Sequence, residues 1–276
     1  MSNEQVRWLM KVIQPERTLA ALPGGHALDH AARAGLLGLP PQLYVLELGS
    51  MQDEVDHVVE QLLADDAVTS MLDRLPLQPG TAVTAFGDSL TSDPQSWAVI
   101  LHELLRRRRG DDDVRVTIDA VAGETTTHGL VRVANALRSQ PDWILFLLGT
   151  NDARTQGPQP TKTLVHHEET ARNITELRHR VAMETQARAI WITPPAVDEA
   201  KVATHAGLAR FGVRFDNGDL ERVAEIIRGG EVVVDAFSAL GAPPAAGHLL
   251  HDGLHLTVAG QARLALEVLR VWSAWV

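Results

Sequence analysis

From Thr81 onward, short apolar runs alternate with longer amphipathic stretches. The runs Ala82–Phe86, Val114–Ala120, Trp143–Leu148, Ala189–Thr193 and Glu231–Asp235 have strand length. The segments Trp97–Arg109, Thr126–Ser139, His166–Gln186 and Asp219–Arg228 have helical length and pattern, and Val258–Trp272 closes the chain as a last helix. Apolar strands separated by helices predict a parallel sheet covered on both faces. Ligands of such sheets bind beyond the carboxyl ends of the strands, so the chemistry belongs in the loops that follow them.

Residues 1–78 carry a different pattern. Val6, Leu9, Met10 and Ile13, and later Val55, Val58, Val59, Leu62 and Leu63, recur with helical period. Pro15, Pro23-Gly24-Gly25 and Pro40-Pro41 break the pattern, and Pro76-Leu77-Gln78-Pro79-Gly80 ends it. The stretch predicts three to five short helices, with Leu43-Tyr44-Val45-Leu46 as a candidate short strand. It reads as a helical N-terminal extension or small domain, followed by a larger domain over residues 79–276. Its helices would cover the pocket or form a homo-oligomer interface.

The loops after the strands carry small and polar residues. They are Gly87-Asp88-Ser89, Val121-Ala122-Gly123-Glu124, Gly149-Thr150-Asn151-Asp152 and, before the last helix, His251-Asp252-Gly253-Leu254-His255. A serine hydroxyl becomes a useful nucleophile when a base takes its proton. His255 is the candidate base for Ser89, with Asp252 orienting the imidazole from the same turn. Attack on an ester carbonyl builds an oxyanion, which the Ser89 and Gly123 N–H groups and the Asn151 amide could receive. Plainer roles stand beside these. Ser89 could cap the following helix, and Gly123 and Asn151 could be turn residues. Asp88 and Asp152 fit as loop organisers, since neither ionised carboxylate can donate to an oxyanion.

Composition narrows the choice. A net charge of -10 argues against a nucleic-acid partner or an anionic membrane surface. The basic run Arg106–Arg109 falls at a predicted helix end, where it suits the helix dipole. The chain has no cysteine, which excludes disulfides, thiolate metal sites and a cysteine nucleophile. With no signal-peptide pattern and no apolar run of bilayer length, a cytoplasmic location is the expectation. His251 and His255 echo a helical zinc pattern, but Gly253 weakens the helix that pattern requires. No metal or other cofactor is implied.

With these four loops in order, the chain resembles the SGNH (GDSL-type) hydrolase superfamily over roughly residues 82–272. The matching blocks are Phe86-Gly87-Asp88-Ser89-Leu90, Gly123-Glu124-Thr125-Thr126, Gly149-Thr150-Asn151-Asp152 and Asp252-Gly253-Leu254-His255. The resemblance implies a flavodoxin-like three-layer α/β/α sandwich with a central parallel five-stranded sheet. It further implies a catalytic set of Ser89, His255 and Asp252, an oxyanion hole from Ser89, Gly123 and Asn151, and hydrolysis of a small-molecule ester without metal. Leu256 stands where many relatives have proline. An acyltransferase or thioesterase using the same site, and a non-catalytic binding protein, remain open alternatives.

Overall fold

Helices fill the first quarter of the chain in the computed structural model, which describes residues 2–19, 24–230 and 232–275. Pro23 and Glu231, named in the sequence patterns above, lie outside the described residues. The helices are α1 (Asn3–Ile13), α2 (Pro15–Thr18), α3 (His30–Leu36), α4 (Pro41–Leu63) and α5 (Asp66–Arg74). Leu43–Leu46 is not a strand but lies inside the 23-residue α4. Pro41 occupies the first turn of that helix, where a missing N–H costs nothing, so the Pro40-Pro41 break is a helix start.

Strands and helices then alternate: β1 (Ala82–Gly87), α6 (Ser89–Ser92), α7 (Trp97–Arg108), β2 (Arg115–Ala120), α8 (Thr126–Arg138) and β3 (Trp143–Leu147). They continue through α9 (His167–Glu184), β4 (Arg188–Ile192), α10 (Glu199–Thr204), α11 (Ala206–Ala209) and α12 (Asn217–Arg228). The chain ends with β5 (Val233–Val234), α13 (Ala236–Leu240) and α14 (Val258–Trp272). The five strands form one sheet in the order β2-β1-β3-β4-β5, with every pairing parallel. This is the doubly wound order of a flavodoxin-like sheet, in which the chain reverses direction beside β1 and β3.

Alternation along β3 shows how the layers arise. Trp143, Leu145 and Leu147 enter one core with β1, β4, α7 and α14, whereas Ile144 and Phe146 enter the other with α8, α9 and α12. On that second face Phe146 stacks on Trp191, with ring centroids 4.4 Å apart. Val55 and Val59 of α4 and Val68 and Leu72 of α5 belong to the first core. A smaller cluster of Val6, Met10, Ala34, Leu39, Tyr44 and Met51 joins α1, α3 and α4.

The basic run at the end of α7 is held by acids of neighbouring helices. Arg107 pairs with Asp56 of α4, Arg108 reaches Asp73 of α5 at 2.7 Å, and Arg109 pairs with Asp112 at 2.6 Å. Arg107 and Arg108 thereby tie α7 to α4 and α5.

Candidate active site

The turn after β1 is forced by a close approach. A Cβ at Gly87 would lie 2.4 Å from the Leu147 carbonyl oxygen and 2.4 Å from Thr91 Oγ1, so only glycine lets β1 end against β3. Asp88 then caps α6, its Oδ1 accepting from Leu90 N–H at 3.0 Å. The cap is therefore Asp88 rather than Ser89, whose hydroxyl makes no hydrogen bond among the described residues. Ser89 is half-buried at the first position of α6. From α14, Gln261 Nε2 donates to Leu90 O at 3.1 Å and its Oε1 accepts from Trp97 N–H at 2.9 Å, bracing the turn from below.

Asp88 is itself unusual. It is buried at 0% exposure, and its Oδ2 and the Thr150 hydroxyl are both buried without a hydrogen-bond partner among the described residues. Burial pushes the carboxyl up to about 7, against the pull of the Leu90 N–H and the adjacent Thr150 hydroxyl.

The second and third loops are joined to each other. Gly123 is exposed with φ +81°, and Asn151 is buried at 5% exposure. Asn151 Nδ2 donates to Glu124 O at 3.0 Å, which uses one amide hydrogen and leaves the second. Asp152 accepts from Thr126 N–H at 2.9 Å and Thr170 Oγ1 at 3.0 Å, so it organises the start of α8. Arg132 of α8 pins the strand ends together. It donates to Gly87 O at 3.1 Å, holds Glu124 and Asp119, and lies over the Phe86 ring at 4.0 Å.

Asp252 and His255 sit in a turn rather than a helix. Gly253 has φ +74°, and a Cβ there would come within 2.6 Å of Asp198 O. His255 Nδ1 lies 2.6 Å from Asp252 Oδ2, and the Leu254 and His255 N–H groups donate to Asp252 Oδ1 at 2.9 and 3.0 Å. Burial alone would raise the Asp252 carboxyl, but His255 and the two backbone N–H groups hold it well below the usual carboxylate range. Burial likewise opposes charge on His255, but the Asp252 carboxylate outweighs it and raises the imidazole pKa. The pair thus favours a carboxylate beside a basic imidazole. His255 Nε2 has no hydrogen-bond partner among the described residues, so it is not bonded to Ser89 Oγ here. Such contacts commonly tighten only when substrate is bound.

The sequence patterns did not single out three residues of α1 and its cap that reach the same place. Trp8 Nε1 donates to Asp252 Oδ2 at 2.8 Å. The buried Lys11 ammonium donates to Asp93 Oδ1 and Gln95 Oε1, each at 2.9 Å. Gln14 Nε2 donates to Ser89 O at 2.8 Å, and Gln14 also bonds the Ser92 hydroxyl. Their only signal in the sequence is a spacing of three residues along one helix.

A family model described as the GDSL-like lipase/acylhydrolase family matches residues 85–263. The chain belongs to that family. It is an ester hydrolase of the SGNH type, and the match spans all four loops described above. Two solved structures share the fold. LAE5, an alpha/beta hydrolase enzyme from the metagenome of Lake Arreo, Spain, aligns with TM-score 0.53 at 23% identity, covering 71% of this chain and 96% of that one. A catalytic mutant of Axe2, an acetylxylan esterase from Geobacillus stearothermophilus, aligns with TM-score 0.55 at 17% identity, covering 71% and 95%. No curated protein matches the chain in sequence.

Val197, which follows β4, is 1% exposed, in the core with Trp191 and Phe215. Leu249 and Leu250 line a cavity of about 250 Å³ with Glu4, Arg7, Trp8 and His251. Arg154 makes no ion pair among the described residues, and its Nε is buried without a partner. Among the described residues no three His, Cys, Asp or Glu side chains are grouped to hold a metal ion, and no helix is long and apolar enough to cross a membrane.

Proposed function

We propose that this family member hydrolyses carboxylic esters through an acyl-enzyme on Ser89. The observation that carries the reading is the Asp252–His255 pair. Its carboxylate is held ionised and its imidazole basic, at the same sheet edge as the half-buried Ser89. In this mechanism His255 Nε2 takes the Ser89 proton as Oγ attacks the acyl carbon, and Asp252 stabilises the imidazolium. The Ser89 and Gly123 N–H groups and the second amide hydrogen of Asn151 receive the oxyanion. His255 then protonates the leaving alcohol, and water repeats the sequence to release the acid. Because Asn151 is already anchored to Glu124 O, its donor is oriented before substrate arrives.

Acetyl esters form the first substrate panel, since the structurally similar Axe2 is an acetylxylan esterase. Ser89→Ala should lower turnover of p-nitrophenyl acetate by at least roughly a thousandfold. A variant that keeps most of the activity would remove Ser89 from the mechanism.

A further inference from the structure

Count the donors on Asp252. An ionised carboxylate offers about four lone-pair sites, and here four hydrogen-bond donors meet them. Leu254 N–H and His255 N–H take Oδ1, and His255 Nδ1 and Trp8 Nε1 take Oδ2. Three of these donors come from the turn that carries Asp252 itself. The fourth comes from α1, 244 residues away in the chain.

Trp8 is held firmly enough to matter. Its indole lies on the backbone of Gly207, where a Cβ would come within 2.3 Å of the ring. His205 packs beside it at a centroid distance of 4.7 Å and His251 at 6.3 Å. The helix behind it is fixed by Arg7 to Glu47 and Glu54, by Lys11 to Asp93, and by Gln14 to Ser89 O. From Trp8 to Gln14 is six residues, or about 9 Å of helix rise, so one helix reaches from the carboxylate of the pair to the serine turn.

We propose that Trp8 is a positioning residue for the Asp252–His255 pair, which makes α1 a working part of the active site. The proposal rests on the catalytic roles assigned above to Asp252 and His255. A donor on Oδ2 shares the negative charge that His255 Nδ1 would otherwise face alone, and it stops the carboxylate from turning toward water. Without it, Oδ2 would interact more strongly with the imidazolium, and the neutral base needed for attack would form only at higher pH. The other titratable groups around the pair are Asp93 and Asp88 from the serine turn, Lys11 from α1, and His205 and His251 beside the indole, with Glu4 of α1 3.4 Å from His251. None of them changes in the variants below.

Trp8→Phe keeps the ring and removes the donor. Gly207→Ala keeps the donor and puts a methyl where the ring lies. In both, kcat on an acetyl ester should fall roughly tenfold with KM within about twofold, the loss of one hydrogen bond to a charged group. The acid limb of kcat/KM should move up by about half a pH unit or more. The low-field proton resonance of the His255–Asp252 bond should move further downfield. A folded variant with wild-type kcat, acid limb and resonance overturns the proposal, as does a loss that follows melting temperature alone with the acid limb in place. Should Ser89→Ala remain active, the catalytic reading itself fails; an inactive Ser89→Ala beside an unaltered Trp8→Phe rejects only the role of Trp8.

Discussion

Asp88→Asn tests the electrostatics of the turn that presents Ser89. Asp88 is buried at 0% exposure, with one oxygen on the Leu90 N–H and the other without a partner among the described residues. Its folded-state value is pushed up to about 7, while the unfolded chain keeps an aspartate near its ordinary value of about 3.9. Between those values the native state binds the extra proton. By linkage, stability therefore falls as pH rises from about 4 to about 7 and stays lower above that. The gap corresponds to at most about 4 kcal/mol, and local relaxation should leave about 2. Asparagine keeps the acceptor for Leu90 N–H, carries no charge, and turns an amide donor toward Thr150 Oγ1. In urea unfolding the variant's advantage should be smallest near pH 4 and grow to about 2 kcal/mol near pH 8. A difference that does not change with pH, or that favours the parent as pH rises, would refute the reasoning.

Two further substitutions test the loops around the serine. Asn151→Ala should lower kcat by about a hundredfold or more if the amide receives the oxyanion; a change of only twofold in steady-state ester hydrolysis would remove it from that role. Arg132→Met leaves the partly buried Asp119 and Glu124 without their cation, and should cost about 3 kcal/mol in urea unfolding. An unchanged midpoint would show that Arg132 does not brace Gly87.

The hydrolase half was legible because its signals are local. Strand runs such as Trp143–Leu148 are buried on both faces, and each candidate site residue lies just after a strand or just before a helix, within or beside a short loop. Segments whose partners lie far away were not legible. Leu43–Leu46 has the length and apolarity of a strand, and only the helix start at Pro41 places it in α4. The stretch 236–251, outside every element expected from the pattern, holds α13, whose five residues are too few to show a period. The last strand shrank to Val233–Val234, an edge strand paired only with β4.

The apolar pattern of α1 misled most, because its buried face is partly polar. Val6 and Met10 are buried as the period predicts, but Ile13 is 42% exposed and Lys11 is buried at 0%. A buried ammonium is costly unless paired, and it is paired here with Asp93, three residues past the family motif and 82 residues away in the chain. Hydropathy treats a charged residue as a mark of the solvent face, so it misses the polar part of this helix's buried face. With Lys11 turned inward, residues three positions before and after it face the same way. Those residues are Trp8 on Asp252 and Gln14 on the Ser89 carbonyl. The departure of α1 from an apolar stripe therefore has the same origin as its place at the active site: the surface it packs against is the polar back of the serine and histidine turns, which an all-apolar helix would leave unsatisfied.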